Sequence, residues 1–187
     1  EADNRLGGMT ASINFSGIDI ERYYHFHCLS DTTFITLLDE LKLKSKLKWR
    51  KTSMGFFYQN RLFKWGSISS VLKFPHLSIF TKVRYILHTV YCLIKFNWRT
   101  LDKVSANKWL KKWLGKKGYN ILWSKLFLYK FHNYTNNISA AWIWSRVKRL
   151  GLSRKFFREY LGFLEGGSKA LIDSLESSIL KNGGKIN

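Results

Sequence analysis

Apolar positions along this chain recur mostly at helical spacing, and a few short stretches alternate instead. Phe34, Leu37, Leu38 and Leu41 follow Asp31-Thr32-Thr33 and predict a helix whose first-turn amides Asp31 can cap. Pro75 separates a short helix, around 68–74, from a longer one. The longer one carries Ile79, Phe80, Val83, Ile86, Leu87, Val90, Tyr91 and Ile94 on one broad face, with Lys82, Arg84 and Lys95 off it. That is the pattern of an amphipathic helix. Ser105 is placed to cap a helix through Trp109. Gly115 and Gly118 punctuate before a second apolar stretch, 119–131. Ser139 is placed to cap a helix over 140–150 that Gly151 stops. A last helix begins after Gly166-Gly167-Ser168 and runs to Asn182. Gly183 supplies its left-handed stop, and Lys185-Ile186 starts a strand.

The alternating stretches predict strands. Residues 13–20 read as a short strand pair turning at Ser16-Gly17. Two apolar runs, 54–58 and 61–65, flank Gln59-Asn60. Asn accepts positive φ, so a two-residue hairpin is expected there. Lys42, Lys44, Lys46, Lys48, Arg50 and Lys51 alternate with Leu43, Leu47 and Trp49, which puts bases on one face of a strand-like segment. The content is α+β and mostly helical. Repeated strand–helix alternation is missing, so a complete doubly wound sheet is not expected.

Length and composition narrow the class. The 187 residues fit one domain, or one plus a small appendage. An apolar fraction of 45% excludes a disordered basic tail. Two cysteines exclude a disulfide scaffold and a four-cysteine zinc module; both are expected to be reduced and buried. No apolar run is long enough for a transmembrane helix, and the opening residues lack the apolar core of a secretory signal.

A net charge of +20 asks for an anionic partner: nucleic acid, an anionic membrane surface, or a phosphorylated cofactor or substrate. The plain alternative is a set of solvated faces written in lysine. The segment Trp109-Leu110-Lys111-Lys112-Trp113-Leu114-Gly115-Lys116-Lys117 pairs Trp109 with Trp113 and Leu110 with Leu114 on one helical face. Such a helix suits a membrane interface, or a core helix whose polar side is basic. No helix-turn-helix, zinc-finger or ribonucleoprotein motif is present, so no specific nucleic acid partner is expected.

Candidate chemistry concentrates at the start of the chain. Glu1 can accept hydrogen bonds from both hydroxyls of a ribose, as an acid does at the end of a dinucleotide-binding strand. Gly7-Gly8 lets backbone amides approach a pyrophosphate, and Arg5 offers a donor fork. In His25-Phe26-His27-Cys28, alternation along a strand would converge His25 and His27, but no second cluster completes a metal site. His76, His88 and His132 read as structural or surface residues. No G-x-S-x-G elbow is present, and Asp39-Glu40, Glu159 and Glu165 form no evident catalytic carboxylate pair.

Glu1-Ala2-Asp3-Asn4-Arg5-Leu6-Gly7-Gly8-Met9-Thr10-Ala11-Ser12 resembles the E-x-x-x-R-x-G-G-x-x-x-S/T segment of the flavin-containing amine oxidase superfamily. That superfamily includes protoporphyrinogen oxidases, phytoene desaturases and amine oxidases. The stretch Gly162-Phe163-Leu164-Glu165-Gly166-Gly167-Ser168 and the helix after it resemble the family's later glycine pair, followed by Gly183-Gly184-Lys185-Ile186. Glu21-Arg22-Tyr23-Tyr24-His25-Phe26 and the run from Trp109 to Trp144 resemble a bacterial and archaeal branch, so the likeness covers nearly the whole chain.

The resemblance implies the substrate domain of an FAD/NAD(P)-binding two-domain oxidoreductase with a partial dinucleotide-binding edge. Residues 1–20 would be a remnant of the FAD-binding domain, 21–165 the substrate domain, and 166–187 a return helix and strand. Glu1 would contact ribose, Arg5, Gly7 and Gly8 the pyrophosphate side, and Ser12 would cap or anchor the loop. His25, Gly166 and Gly167 would lie near substrate or flavin. The chemistry implied is hydride removal from a C–H or C–N bond onto FAD, with no catalytic residue identified. The substrate would be a small molecule, apolar or lipid-like on the strength of the aromatic content, and the setting cytoplasmic, at the inner face of a membrane. The family's G-x-G-x-x-G unit and its C-terminal flavin-covering segment have no counterpart, so an internal fragment is expected. Such a fragment would not hold FAD tightly; a yellow, stoichiometrically flavinylated preparation would contradict this. The competing expectations are a cationic, aromatic-rich module binding membrane or nucleic acid without redox activity, and a relative that keeps the fold without catalysis.

Overall fold

Positive φ at a pair of consecutive residues closes both hairpins where the sequence predicts them. Ser16 and Gly17 (φ 52° and 84°) join β1 (Ser12–Phe15) to β2 (Ile18–Glu21). Gln59 and Asn60 (φ 48° and 58°) join β5 (Met54–Tyr58) to β6 (Arg61–Trp65). The computed structural model describes residues 2–156 and 158–187. These fall into two units, one of residues 1–51 with 160–187, the other of residues 52–159.

In the first unit, β8 (Arg158–Leu164) pairs through its later residues with β3 (His27–Cys28) on one side and β4 (Leu47–Lys51) on the other, both antiparallel. α1 (Thr32–Glu40) and α8 (Gly167–Lys181) complete it. Leu38, Leu43, Leu47 and Leu164 are its buried centre, with Phe34, Ile35, Trp49 and Leu171 packed around them. Two expectations need correction here. Asp31 stands at the N-cap of α1, but its carboxylate accepts from the Cys28 amide (2.7 Å) rather than from the helix. The strand expected from Lys42 begins only at Leu47. Lys42 adopts φ 58° and ends α1, the Leu43 amide reaches back to Leu38 C=O (2.7 Å), and residues Lys44–Lys46 make a 3₁₀ turn. Lys185-Ile186, expected as a strand, is not paired into one.

The second unit holds the β5–β6 hairpin, α2 (Ile68–Lys73), α3 (Ile79–Ile94), α4 (Arg99–Asp102), α5 (Ala106–Tyr119), α6 (Lys125–Phe131), α7 (Ala140–Leu152) and β7 (Arg154–Lys155). A wide turn of π type, Asn120–Ser124, links α5 to α6. Serines start three of the helices. Ser67 and Ser70 form a capping box on α2, Ser78 accepts from the Thr81 amide (3.2 Å), and Ser139 from the Ala141 amide (3.0 Å). Phe74 is fully buried under the hairpin. Its ring meets Phe56, Phe63 and Trp65 edge-on, with centroids 5.5, 5.0 and 5.4 Å away. The main core gathers Cys92, Leu101, Trp109, Leu110, Leu114, Phe127 and Ile143.

Three expectations change in this unit. Gly115 interrupts α5 (φ 71°, ψ 167°), but Gly118 continues it. Gly151 does not stop α7, which runs on to Leu152. Both glycines answer to close approach. A Cβ on Gly118 would lie 2.7 Å from Thr81 Cγ2, and one on Gly151 would lie 2.5 Å from Leu93 Cδ2, both on α3. Gly118→Val should therefore cost about 2 kcal/mol through overpacking, read as a lowered midpoint in urea melts.

The third change concerns α3, while α5 follows one of its two expected readings. α5 buries Trp109, Leu110 and Leu114, so its tryptophan face is a core face. α3 turns Tyr85, His88 and Cys92 inward. Most of its predicted apolar face stays outside: Ile79, Phe80, Val83, Leu87, Val90 and Ile94 are exposed, whereas Ile86 is half-buried and Tyr91 packs on Trp109 and Trp113. Periodicity finds an apolar face but does not say that it is the one buried, and α3 has two.

Candidate functional site

Two consecutive glycines shape the opening loop of the first unit. Gly7 (φ 106°) and Gly8 (φ 49°) lead into a 3₁₀ turn, Gly8–Thr10. Gly7 C=O accepts from the Thr10 amide (2.8 Å) and hydroxyl (2.9 Å), and Gly8 C=O from the amide of buried Ala11 (3.3 Å). Arg5 Nη1 donates to Ser12 C=O (3.4 Å), while its Nε lies 3.6 Å from the Asp3 carboxylate. Ser12 anchors the loop through that carbonyl and opens β1 opposite Glu21. Glu1 lies outside the described residues.

The loop rests on α8. A Cβ at Gly7 would lie 2.3 Å from Ile172 Cδ1, a close approach that only glycine allows. At Gly8 the same position is open, with no atom within 4 Å. Arg5, Gly7, Gly8 and Ser12 are therefore drawn together, and the helix begun by Gly166 and Gly167 passes beneath them.

Gly166 (φ 84°) and Gly167 (φ 64°) turn the chain into α8. The start of α8 is occupied by Glu21. One carboxylate oxygen accepts from the Ser168 amide (2.8 Å) and hydroxyl (2.5 Å), and the other from the His25 amide (3.2 Å), with His25 Nδ1 3.4 Å away. Burial raises the Glu21 carboxyl pKa, but the Ser168 and His25 hydrogen bonds and the charge of His25 outweigh it and leave it below the ordinary value. A Cβ on Gly167 would touch this carboxylate at 3.5 Å.

Glu21 is the residue that the sequence pattern does not single out. Its partner is 147 positions away, and nothing local distinguishes it from Asp19 on the same strand. Its carboxylate satisfies the positive end of α8 from within the protein. Gly166 and Gly167 thus serve as the turn into a capped helix, and His25 as the partner of that cap.

The convergence of His25 and His27 expected from strand alternation does not occur. His25 precedes β3 and faces Glu21, whereas His27 stacks on Phe34 with ring centroids 3.9 Å apart. Among the described residues no group of three His, Cys, Asp or Glu is placed to hold a metal ion. Both cysteines are buried thiols. Burial pushes the Cys92 thiol up to about 12 and the His88 imidazole down to about 4, so both are neutral at pH 7.

No protein-family model matches the chain, and no curated protein does. Solved structures do match it. A candidate protoporphyrinogen oxidase from Exiguobacterium sp. 255-15 superposes with a TM-score of 0.56 at 18% identity, over 95% of this chain and 43% of that one. Putrescine oxidase bound to putrescine superposes with a TM-score of 0.60 at 20% identity, over 96% of this chain and 42% of that one. The chain has the fold of part of these oxidases. It spans about two-fifths of their length.

Proposed function

We propose that this chain is part of an FAD-dependent oxidoreductase of the flavin amine oxidase type, and that its first unit carries one wall of the cofactor cleft. The observation that carries this reading is the seating of the Arg5-x-Gly7-Gly8 loop on the helix that follows Gly166-Gly167. Two segments about 160 positions apart, each resembling a flavin-family motif, build one edge. The fold likeness to two oxidases over nearly the whole chain supports the same reading.

The residues present fit one side of such a cofactor. Gly8 has open space where a side chain would stand, so a phosphate can come close to the loop. The Arg5 side chain is tethered at two points yet 39% exposed, which leaves its guanidinium able to offset pyrophosphate charge. Glu1 would take the ribose. Gly7 holds the loop against Ile172, and buried Ala11 fixes where β1 starts. The start of α8 does not fit a phosphate, because Glu21 already accepts from its Ser168 donors. Bound FAD would supply the hydride acceptor. The chain's own task is to bind and orient the adenine-dinucleotide half of FAD. The substrate is a small molecule in this reading; an apolar or lipid-like one rests on aromatic composition alone.

Titration of FAD and of ADP into the ¹⁵N-labelled chain tests this. Weak binding is expected, with both ligands shifting the amides of residues 7–11. Arg5→Ala should weaken binding about tenfold, the loss of one charge-assisted contact, at an unchanged melting temperature. If neither ligand moves those amides, the cofactor reading fails.

A further inference from the structure

Glu21 joins the diglycine loop to the helix beneath it. Its backbone belongs to the loop side. β2 ends at Glu21 opposite Ser12, and the next amide, that of Arg22, donates to the carbonyl of buried Ala11 (3.4 Å), the residue that closes the diglycine turn. Its side chain belongs to the helix side. One carboxylate oxygen holds the amide and hydroxyl of buried Ser168, in the first turn of α8, at 2.8 and 2.5 Å. Ile172, one turn further along α8, is the residue against which Gly7 is pressed. The contacts therefore close a circuit from Gly7 through Ala11, Glu21, Ser168 and Ile172 back to Gly7, and all of it lies inside the first unit.

Within this circuit two links join loop to helix, and they differ in kind. The Gly7–Ile172 contact is apolar and has no preferred direction. The Glu21–Ser168 bonds are charge-assisted and directional, so they fix how far along the loop α8 sits. The second carboxylate oxygen accepts from the His25 amide (3.2 Å), which keeps the group from swinging away. Burial pushes this carboxyl up, but the Ser168 and His25 bonds bring it below its ordinary value, so it is the charged acceptor at pH 7. Asp19, the other acid of β2, bonds locally instead, accepting from Asn14 across the hairpin (3.0 Å).

We propose, on the reading of this loop as a phosphate site, that Glu21 is a positioning residue for the cofactor: by gripping Ser168 it sets where α8 holds Gly7, and with it the placing of the Gly8 backbone and of Arg5 toward a pyrophosphate. An ionised carboxylate is an acceptor only and offers nothing to a phosphate itself, so its effect is carried by Ser168 and α8. This fixes the sign of the outcome. A negative charge that merely lay near the ligand would weaken its binding, and its removal would tighten it; a positioning carboxylate does the reverse.

Titration of ADP into the ¹⁵N-labelled 187-residue chain, followed at the amides of residues 7–11, tests this at a temperature where urea melts show each variant fully folded. Glu21→Ala should weaken ADP about tenfold, as loss of a supporting contact does. Glu21→Gln keeps an oxygen for Ser168 and should recover binding to within about threefold of the wild type. Ser168→Ala leaves Glu21 in place, removes one of its donors and should also cost about threefold. Glu21→Ala/Ser168→Ala should bind no more weakly than Glu21→Ala, because both changes cut the same link. Should Glu21→Ala fail to fold, Glu21→Gln and Ser168→Ala carry the test. Wild-type affinity in the folded single variants overturns the proposal and leaves the cofactor reading standing. Tighter binding by Glu21→Gln overturns it as well, as do additive losses in the double variant. If the wild type itself binds no ADP, the cofactor reading falls and the proposal falls with it.

Discussion

Acidifying the protein from pH 7 to pH 4 should cost the helical unit about 3 kcal/mol through His88 alone. The imidazole is fully buried between Trp109 and Trp113, with ring centroids 4.5 and 5.4 Å away, and burial lowers its pKa from 6.5 to about 4. Above pH 6.5 it is neutral in both folded and unfolded states and contributes no pH dependence. Between pH 6.5 and 4 the unfolded chain takes up a proton that the folded unit refuses, so stability falls as pH falls. Below pH 4 both states are protonated and the loss levels off. Lowering the imidazole from 6.5 to about 4 corresponds to roughly 3 kcal/mol. Urea melts followed by tryptophan fluorescence at pH 7, 5.5 and 4 measure the loss. His88→Gln should flatten that pH dependence relative to the wild type. Equal acid sensitivity of the two proteins would show that His88 is not the group responsible.

Gly7→Ala should destabilise the first unit by about 3 kcal/mol. A side chain at φ 106° is strained, and its Cβ would stand 2.3 Å from Ile172 Cδ1 and 3.3 Å from the Ala11 amide nitrogen. Gly8→Ala meets open space and bears only the left-handed cost, about 1 kcal/mol. The inequality between neighbouring glycines is the diagnostic. Hydrogen exchange at the Thr10 amide, bonded to Gly7 C=O at 2.8 Å, reads it locally. Trimming the obstacle should recover part of the loss, so Gly7→Ala with Ile172→Ala should be more stable than the sum of the single effects. Equal costs at Gly7 and Gly8 would mean that the loop does not rest on α8.

Local chemistry made much of the fold readable. The Gln59-Asn60 hairpin, the Ser16-Gly17 turn, the break at Pro75 and the Ser139 cap of α7 each depend on residues within a few positions of one another, whereas Ser105 stands at the start of α5 without its side chain capping the helix. Part of the candidate site was readable for the same reason, since Arg5, Gly7 and Gly8 act within one loop. Glu21 was not readable as a helix cap, because its partner Ser168 is brought to it by the packing of β2 and α8. Gly118 and Gly151 looked like helix stops because glycine carries both meanings in sequence. Only the proximity of α3 shows that they are spacers.

By itself the sequence determined the turns, the helix starts, the charge and the existence of an apolar face on α3, because these follow from short-range preferences and from counting. Tertiary structure alone decided which face of α3 is buried, which helix Glu21 caps, and that the diglycine loop lies against α8. Burial is a property of what packs against a residue, and in this chain the partners are tens to more than a hundred positions away.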